Sequence, residues 1–495
     1  MLADRRVKIV ATIGPATSSM ENLEKAIKAG MNVARLNFSH GTHDQHREVI
    51  RCLRELSHQL RAPVTILQDL QGPKIRVGKF ETGSIELIRG QQVVVTARDI
   101  VGKEGLIPTD FKELPRSCQP GSKILLDDGL LELVVISIDA DDVRCEVVYG
   151  GTLKDRKGIN LPGAKLPIEC MTEKDFKDLE FGLEHDVDYI ALSFVRHGDD
   201  LRKLRALINK KNPATKLIAK IEMLEALQHL EEIIRLSDAV MVARGDLAVE
   251  IGQSQLPGVQ KKIIKMANVL GTPVITATQM LDSMVHNPRP TRAEITDVAN
   301  AVLDGTDAVM LSAESASGKY PFKCIQTMHN IILEVEKGGE VFNKVTLDDE
   351  FLSVPEALGA SAVLTAMKLD ASAIVCLTTT GKTASIISGF RPKARLIAVT
   401  NIVSTLNRLE LVWGISTFSI QDYEDFQDVL DQIEKVLLAY GMVKPGDKII
   451  LTLGVPVRGR GKTNSLQIHT VGSKVVDKLP ELELPLRCQV RIPEY

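Results

Sequence analysis

Hydrophobic positions along the chain follow two different rhythms, and the change between them divides it. At the start, short apolar runs alternate with longer stretches whose apolar residues recur every three or four positions. Val7–Ile13 reads as a strand, and Met20–Ala29 as a helix stopped by Gly30. Met31–Phe38 reads as a second strand, His43–Gln59 as an amphipathic helix, and Pro63–Asp69 as a third strand. Strands that are apolar throughout are buried on both faces, as in a parallel sheet covered by helices. From Gln71 to about Cys170 the runs become short, β-branched and separated by Gly, Asp and Pro, which predicts an all-β segment. Thr172–Asp175 carries a helix-capping pattern, and the first rhythm resumes. Five further strands are predicted at Asp188–Val195, Lys216–Glu222, Ala239–Leu247, Thr272–Gln279 and Asp307–Ala313.

Three strands before the interruption and five after it make eight βα units. The predicted fold is therefore α/β: a (β/α)8 TIM barrel over residues 1–70 and 171–345, with an inserted β-barrel domain over 71–170. Residues 352–471 form a third region. A helix at Pro355–Leu369 and strands at Ala373–Leu377, Leu396–Val399 and Lys448–Leu453 predict a C-terminal parallel-sheet α/β domain. Residues 472–495 have weak periodicity and receive no assignment.

Composition narrows the function classes. A chain of 495 residues with 44% apolar and 25% charged residues is an ordinary globular protein of two to four domains. A net charge of −3 gives no electrostatic basis for binding nucleic acid or an anionic membrane, and one Trp and six Tyr offer few base-stacking platforms. The seven cysteines are dispersed, without a CxxC pair or zinc spacing, which suits reduced thiols in a cytosolic protein. No run approaches the roughly 20 apolar residues of a membrane span, and the N-terminus has no signal-peptide apolar core.

Candidate chemistry lies where the barrel strands end. Lys220 and Glu222 are two apart, so they share one face of a strand, and Arg244 and Asp246 close the next. An ammonium beside two carboxylates can hold a divalent metal next to an anionic substrate; a rim salt bridge would look the same in sequence. With no His or Cys nearby, Glu222 and Asp246 select Mg2+ or Mn2+ over zinc. Gly245 permits close approach of backbone to a ligand, and Thr278 supplies a hydroxyl at the seventh strand's end. Arg35, Asn37 and Ser39 share a face on the second strand; the guanidinium suits phosphate or carboxylate, and the oxygens with those of Asp69 suit a monovalent cation. Lys74 and Arg76 stand at the junction with the insertion, where clefts form. The polar, proline-containing loop 286–294 reads equally as a subunit contact or as a rigid connection. In the C-terminal region, Thr378, Thr379, Thr380, Gly381, Lys382 and Thr383 follow a strand and open a helix, an arrangement that binds phosphate. Their spacing is not that of a nucleotide P-loop. The basic, glycine-rich loop 454–464 could close over the same phosphate.

Ten segments together resemble one family: KIVATIGPA (8–16), NVARLNFSHG (32–41), DLQGPKIR (69–76), KGINLPG (157–163), AKIE (219–222), MVARGDLAVE (241–250), ATQMLDSM (277–284), NPRPTRAE (287–294), DGTDAVMLSAE (304–314) and TTTGKTA (378–384). In order and spacing they are similar to the pyruvate kinases, over about residues 5–471. The resemblance implies phosphoryl transfer from phosphoenolpyruvate to ADP, giving pyruvate and ATP, by a homotetramer with a phosphorylated allosteric effector. It implies that Lys220 stabilises the phosphoryl group in flight and that Glu222 and Asp246 hold Mg2+. Arg35 and Arg76 would contact phosphoryl oxygens, and Arg76 and Lys157 the nucleotide. Gly245, Asp246 and Thr278 would surround the substrate, with Thr278 near the face where the enolate is protonated. The inserted domain would act as a lid.

One departure bears on the cation. Potassium-dependent members carry Thr-Lys-Gly-Pro-Glu after the residue matching Asp69; here the text is Leu70-Gln71-Gly72-Pro73-Lys74. Asn37, Ser39, Asp69 and Leu70 match potassium positions, but a lysine ammonium repels K+ and can supply its charge. The enzyme is expected not to require K+. A metal-dependent carbon–carbon lyase would not need Lys157 on a lid, and a catalytically dead sensor would not need Lys220, Glu222 and Asp246 together.

Overall fold

Eight strands with complete apolar burial close into a parallel barrel in this computed structural model, which describes residues 5–164, 167–342, 353–457 and 462–472. In chain order they are Lys8–Ile13, Val33–Asn37, Thr65–Asp69, Tyr189–Leu192, Lys216–Ile221, Ala239–Ala243, Val274–Ala277 and Ala308–Leu311. Each pairs with its sequence neighbours, and the first closes on the last through Lys8–Ala11 against Ala308–Leu311. The register sets the site: Thr12 lies opposite Arg35, and Asn37 opposite Asp69. Side chains such as Val10, Leu67, Ile218, Met241 and Ile275 fill the barrel interior. The surrounding helices bury a second apolar layer against its outside.

The helix boundaries follow capping chemistry. Gly30 ends the helix Met20–Ala29 in the left-handed region (φ 118°), and Thr42 with Gln45 forms the capping box of His43–Gln59. Thr172 and Asp175 cap Glu173–Glu184, where the barrel resumes after the insertion. Thr291 and Glu294 cap Arg292–Leu303, and Glu294 also binds the backbone N–H and hydroxyl of Ser283. The proline-containing loop is thus stitched to the preceding turn.

The chain leaves the barrel after Asp69 and returns before Tyr189. The intervening strands form a six-stranded, mainly antiparallel sheet and a separate pair, Ser84–Leu87 with Gly151–Lys154, around one apolar core. The C-terminal region is a five-stranded sheet. Four strands are parallel, with Ile415–Ser419 additional to the three predicted; the edge strand Ser465–Thr470 runs antiparallel to Lys448–Leu453. An all-parallel sheet was expected, but an antiparallel return at the edge needs no crossover helix.

This domain seals the lower end of the barrel. Leu411 enters the barrel's interior cluster, while Lys8 Nζ donates to the Ile415 carbonyl at 2.7 Å and pairs with Glu410 at 3.4 Å. Arg391 forms a buried ion pair with Asp307 at 3.0 Å. Among the described residues no helix is long and apolar enough to cross a membrane. Residues 473–495 lie outside the described part, as do Arg458 and Arg460 of the basic loop.

Candidate active site

Four charged groups meet at the end of the barrel where the inserted domain departs. Asp69 is 1% exposed and accepts a two-pronged contact from Arg35, with Nε at 2.7 Å and Nη2 at 2.6 Å from Oδ2. The other oxygen of Asp69 lies 3.2 Å from Lys220 Nζ. Lys220 reaches Glu222 Oε1 at 2.8 Å and donates to Ser193 Oγ at 2.7 Å. Thr12 Oγ1 accepts from Arg35 Nη1 at 2.9 Å. The cations are thus fixed by buried protein acceptors, which is the preorganisation that charge stabilisation needs.

Burial raises the cost of every charge here, and the neighbours decide the outcome. Burial opposes the Asp69 carboxylate, but Lys220 and Arg35 outweigh it and hold its pKa below the usual aspartate value. Burial likewise opposes the Lys220 ammonium, yet Asp69 and Glu222 keep its pKa above that of an ordinary lysine. Glu222 goes the other way. Burial pushes its carboxyl pKa up, Lys220 pulls it down, and the charge of Asp246 pushes it up again, so the net shift is upward. Glu222 Oε2 accepts the Phe194 N–H at 2.8 Å.

Asp246 differs from its expected setting. The sixth strand ends at Ala243, and Arg244–Ile251 is a helix, so Gly245 and Asp246 occupy its first turn instead of a strand end. A carboxylate there is favoured by the partial positive charge of a helix N-terminus. Arg244 turns away from the cleft and binds the carbonyls of Ala277 (3.1 Å) and Thr278 (2.6 Å) and the carboxylate of Asp297 (2.7 Å). Thr278 lies one residue beyond its strand, in the left-handed region at φ 69°, a conformation that costs a β-branched residue energy. Its hydroxyl accepts the Gly245 N–H at 2.9 Å, joining the two strand ends. Between the fifth and sixth strands the chain forms a short turn, Glu225–Leu227, and a helix, Leu230–Leu236.

Other predicted residues stand apart from this cluster. Arg76 Nη1 donates to the Arg156 carbonyl at 3.0 Å, and Lys157 pairs with Asp127 at 2.8 Å, both within the inserted domain. Lys74 faces Asp128 of that domain at 3.9 Å; among the described residues no hydrogen bond or ion pair joins it to Asn37, Ser39 or Asp69. Asn37 Oδ1 accepts the Ser39 N–H at 3.1 Å, and the Leu70 carbonyl accepts from Ser193 Oγ at 2.7 Å.

A second site lies in the C-terminal domain. Gly381, at φ 83°, turns the chain into the helix Lys382–Gly389, and Thr378 Oγ1 accepts its N–H at 2.9 Å. A cavity of about 310 Å3 is lined by Thr378, Thr379, Thr380, Lys382, Thr383, Tyr423, Lys462 and Thr463. Thr383 hydrogen-bonds Thr463 in its wall. Ser193, Thr12 and Tyr423 were not singled out from sequence. The first two close apolar strands, and a search of all eight strand ends for hydroxyls would have found them; Tyr423 carries no local signal.

Family comparison agrees with this geometry. The family model described as "Pyruvate kinase, barrel domain" matches residues 4–325, and "Pyruvate kinase, alpha/beta domain" matches 356–469. A pyruvate kinase of Geobacillus stearothermophilus is 44% identical over 473 residues, 94% of this chain and 80% of that protein. Pyruvate kinase 2 of Synechocystis is 45% identical over 471 residues, 94% of this chain and 79% of that one. A crystal structure of a pyruvate kinase from Cryptosporidium parvum superposes with a TM-score of 0.88 at 36% identity, covering 94% of this chain and 96% of that one.

Proposed function

The chain belongs to the pyruvate kinase family and is a phosphotransferase that converts phosphoenolpyruvate and ADP to pyruvate and ATP, and from that premise we propose how its residues divide the work. The observation that carries the assignment is the Arg35–Asp69–Lys220–Glu222 cluster: two cations converge on one buried cleft with their geometry already set. Phosphoryl transfer passes through a loose transition state whose negative charge spreads over peripheral oxygens, so fixed positive charge does most of the catalytic work. Lys220 and Arg35 carry that charge. Gly245, Asp246 and Thr278 hold the substrate end, and the Thr278 hydroxyl lies on the path of the proton that reaches the enolate.

Glu222 and Asp246 hold a divalent cation, Mg2+ or Mn2+. Hard oxygens of two carboxylates suit that ion, and a buried glutamate whose charge is disfavoured by burial and by Asp246 is relieved by it. When bound, the ion would supply neutralisation of the negative charge that builds up in phosphoryl transfer. Arg76 and Lys157 serve the nucleotide side from the inserted domain, which closes as a lid and excludes water. The Thr378–Thr383 cavity takes the phosphate of an allosteric effector. The enzyme is a cytoplasmic homotetramer; the edge strand Ser465–Thr470, whose outer side meets no further strand among the described residues and where Ile468 is half exposed, supports an interface there.

K+ is not required. Arg35 and Lys220 neutralise Asp69 from within, while Ser39 and Ser193 occupy the Asn37 oxygen and the Leu70 carbonyl. Pyruvate formation with Mg2+ is expected to change less than about twofold between K+-free buffer and added KCl at matched ionic strength. A gain of tenfold or more would remove the cation assignment and leave the activity standing, and no pyruvate in either buffer would remove the activity.

For the effector, sugar phosphates and nucleoside monophosphates are to be screened for a shift in phosphoenolpyruvate half-saturation. Whichever one acts is expected to bind at least about tenfold more weakly to Lys382→Gln, because a charge-assisted phosphate contact is lost, with kcat unchanged at saturating substrate. An undiminished response would place the effector elsewhere.

A further inference from the structure

Ser193 and Phe194 form the turn after the fourth barrel strand and connect the catalytic cluster to the root of the inserted domain. Ser193 is 1% exposed. Its hydroxyl accepts from Lys220 Nζ at 2.7 Å and donates to the Leu70 carbonyl at 2.7 Å. A hydroxyl used in both directions has no rotational freedom left, so it fixes the ammonium relative to Leu70. Leu70 is itself held, since its N–H donates to the Ala191 carbonyl at 3.1 Å. It is the first residue after the third strand, where the chain sets out for the inserted domain.

Phe194 adds a second tie. It sits in the left-handed region at φ 56°, an uncommon state for an aromatic residue, and in that state its N–H reaches Glu222. Its ring packs over Gly72: a Cβ at that glycine would lie 2.7 Å from Phe194 Cδ2 and 3.0 Å from Ser193 Cβ. Gly72 also has a positive φ, 69°, and its N–H donates to Asp175 at 3.1 Å. The ring lines a small cavity with Pro73, Lys74 and Ile75, the residues that lead into the insertion. One turn therefore touches the phosphoryl-stabilising lysine, its partner glutamate and the segment on which the lid is mounted.

We propose that Ser193 is a positioning residue for phosphoryl transfer, setting the Lys220 ammonium against the Leu70–Gly72 segment at the root of the inserted domain. The proposal rests on the role assigned to Lys220. Lys220 has two carboxylate partners, and electrostatic attraction alone leaves it free to move between them. The hydroxyl removes that freedom by adding a directional third contact. Loss of the contact alters placement while leaving the charge intact, so it acts on turnover more than on substrate binding.

The test compares Ser193→Ala and Ser193→Thr in the full-length enzyme, measuring kcat, KM for phosphoenolpyruvate and Tm, with Lys220→Met alongside. Ser193→Ala is expected to lower kcat about tenfold, the range for losing a hydrogen bond to a charged group, with KM changed less than about threefold. Its Tm should stay within about 4 °C of the parent's, and Ser193→Thr should recover most of the turnover by restoring the hydroxyl. A Ser193→Ala enzyme within twofold of the parent overturns the proposal, as does an equal loss in both variants at unchanged Tm. If Lys220→Met remains active, the role of Lys220 falls, and the reason for positioning it falls with it.

Discussion

Lys220→Met is expected to lower kcat by about a thousandfold, the upper range for deleting one preorganised charge-stabilising donor. Methionine keeps the unbranched stem and removes the ammonium, with its charge and its hydrogen bond to Ser193. Arg35 remains, but its Nε and Nη2 are committed to Asp69 and Nη1 to Thr12, so it cannot move into the vacated position. The loss also leaves Asp69 with one counter-charge and Glu222 with none from this side. Because the ammonium acts chiefly as charge develops in transfer, KM for phosphoenolpyruvate should move less than about tenfold. Steady-state kinetics with both substrates varied separates the two effects. A kcat within tenfold of the parent would show that the buried ion pair is structural.

Asp69→Asn should be the most costly change in the site to stability. It leaves Arg35 and Lys220 facing one another in a buried cleft without the carboxylate between them. Removing one partner of a buried ion pair typically costs about 3–5 kcal/mol, because an uncompensated charge remains. Turnover is expected to fall about a hundredfold as both cations shift from their set positions. Denaturant melts of parent and variant, read alongside kcat, measure the two consequences together. The carboxyl of Asp69 is held below its ordinary pKa, so its contribution to folding is present above the ordinary aspartate range and is lost as pH falls through the lowered native value. The stability gap between parent and variant should therefore be full near neutrality and narrow in acid. A gap that is small at neutral pH would mean that Lys220 and Glu222 suffice to hold the cluster.

These outcomes depend on two kinds of information in the chain. By itself, the sequence determined the barrel, because eight apolar runs separated by amphipathic stretches have few other ways to bury both faces, and strand periodicity put Lys220 and Glu222 on one side. A capping pattern marked the start of a helix at Thr172 with Asp175. Local pattern could not tell that the strand after Ala239 stops at Ala243, since ARGDL is compatible with strand or helix, and the helix forms because Arg244 finds the Ala277 and Thr278 carbonyls of the next strand. Nor could it tell where Lys74 points. A lysine at a domain junction takes whichever carboxylate the packed inserted domain presents, and that is Asp128, far away in sequence. Ser193 went unremarked for the same reason. A serine closing an apolar strand becomes informative only when closure of the barrel brings Leu70 to one side of its hydroxyl and Lys220 to the other. Periodicity and capping are local and legible in one dimension; the pairing of buried charges and hydroxyls depends on which strand ends the closed barrel makes neighbours.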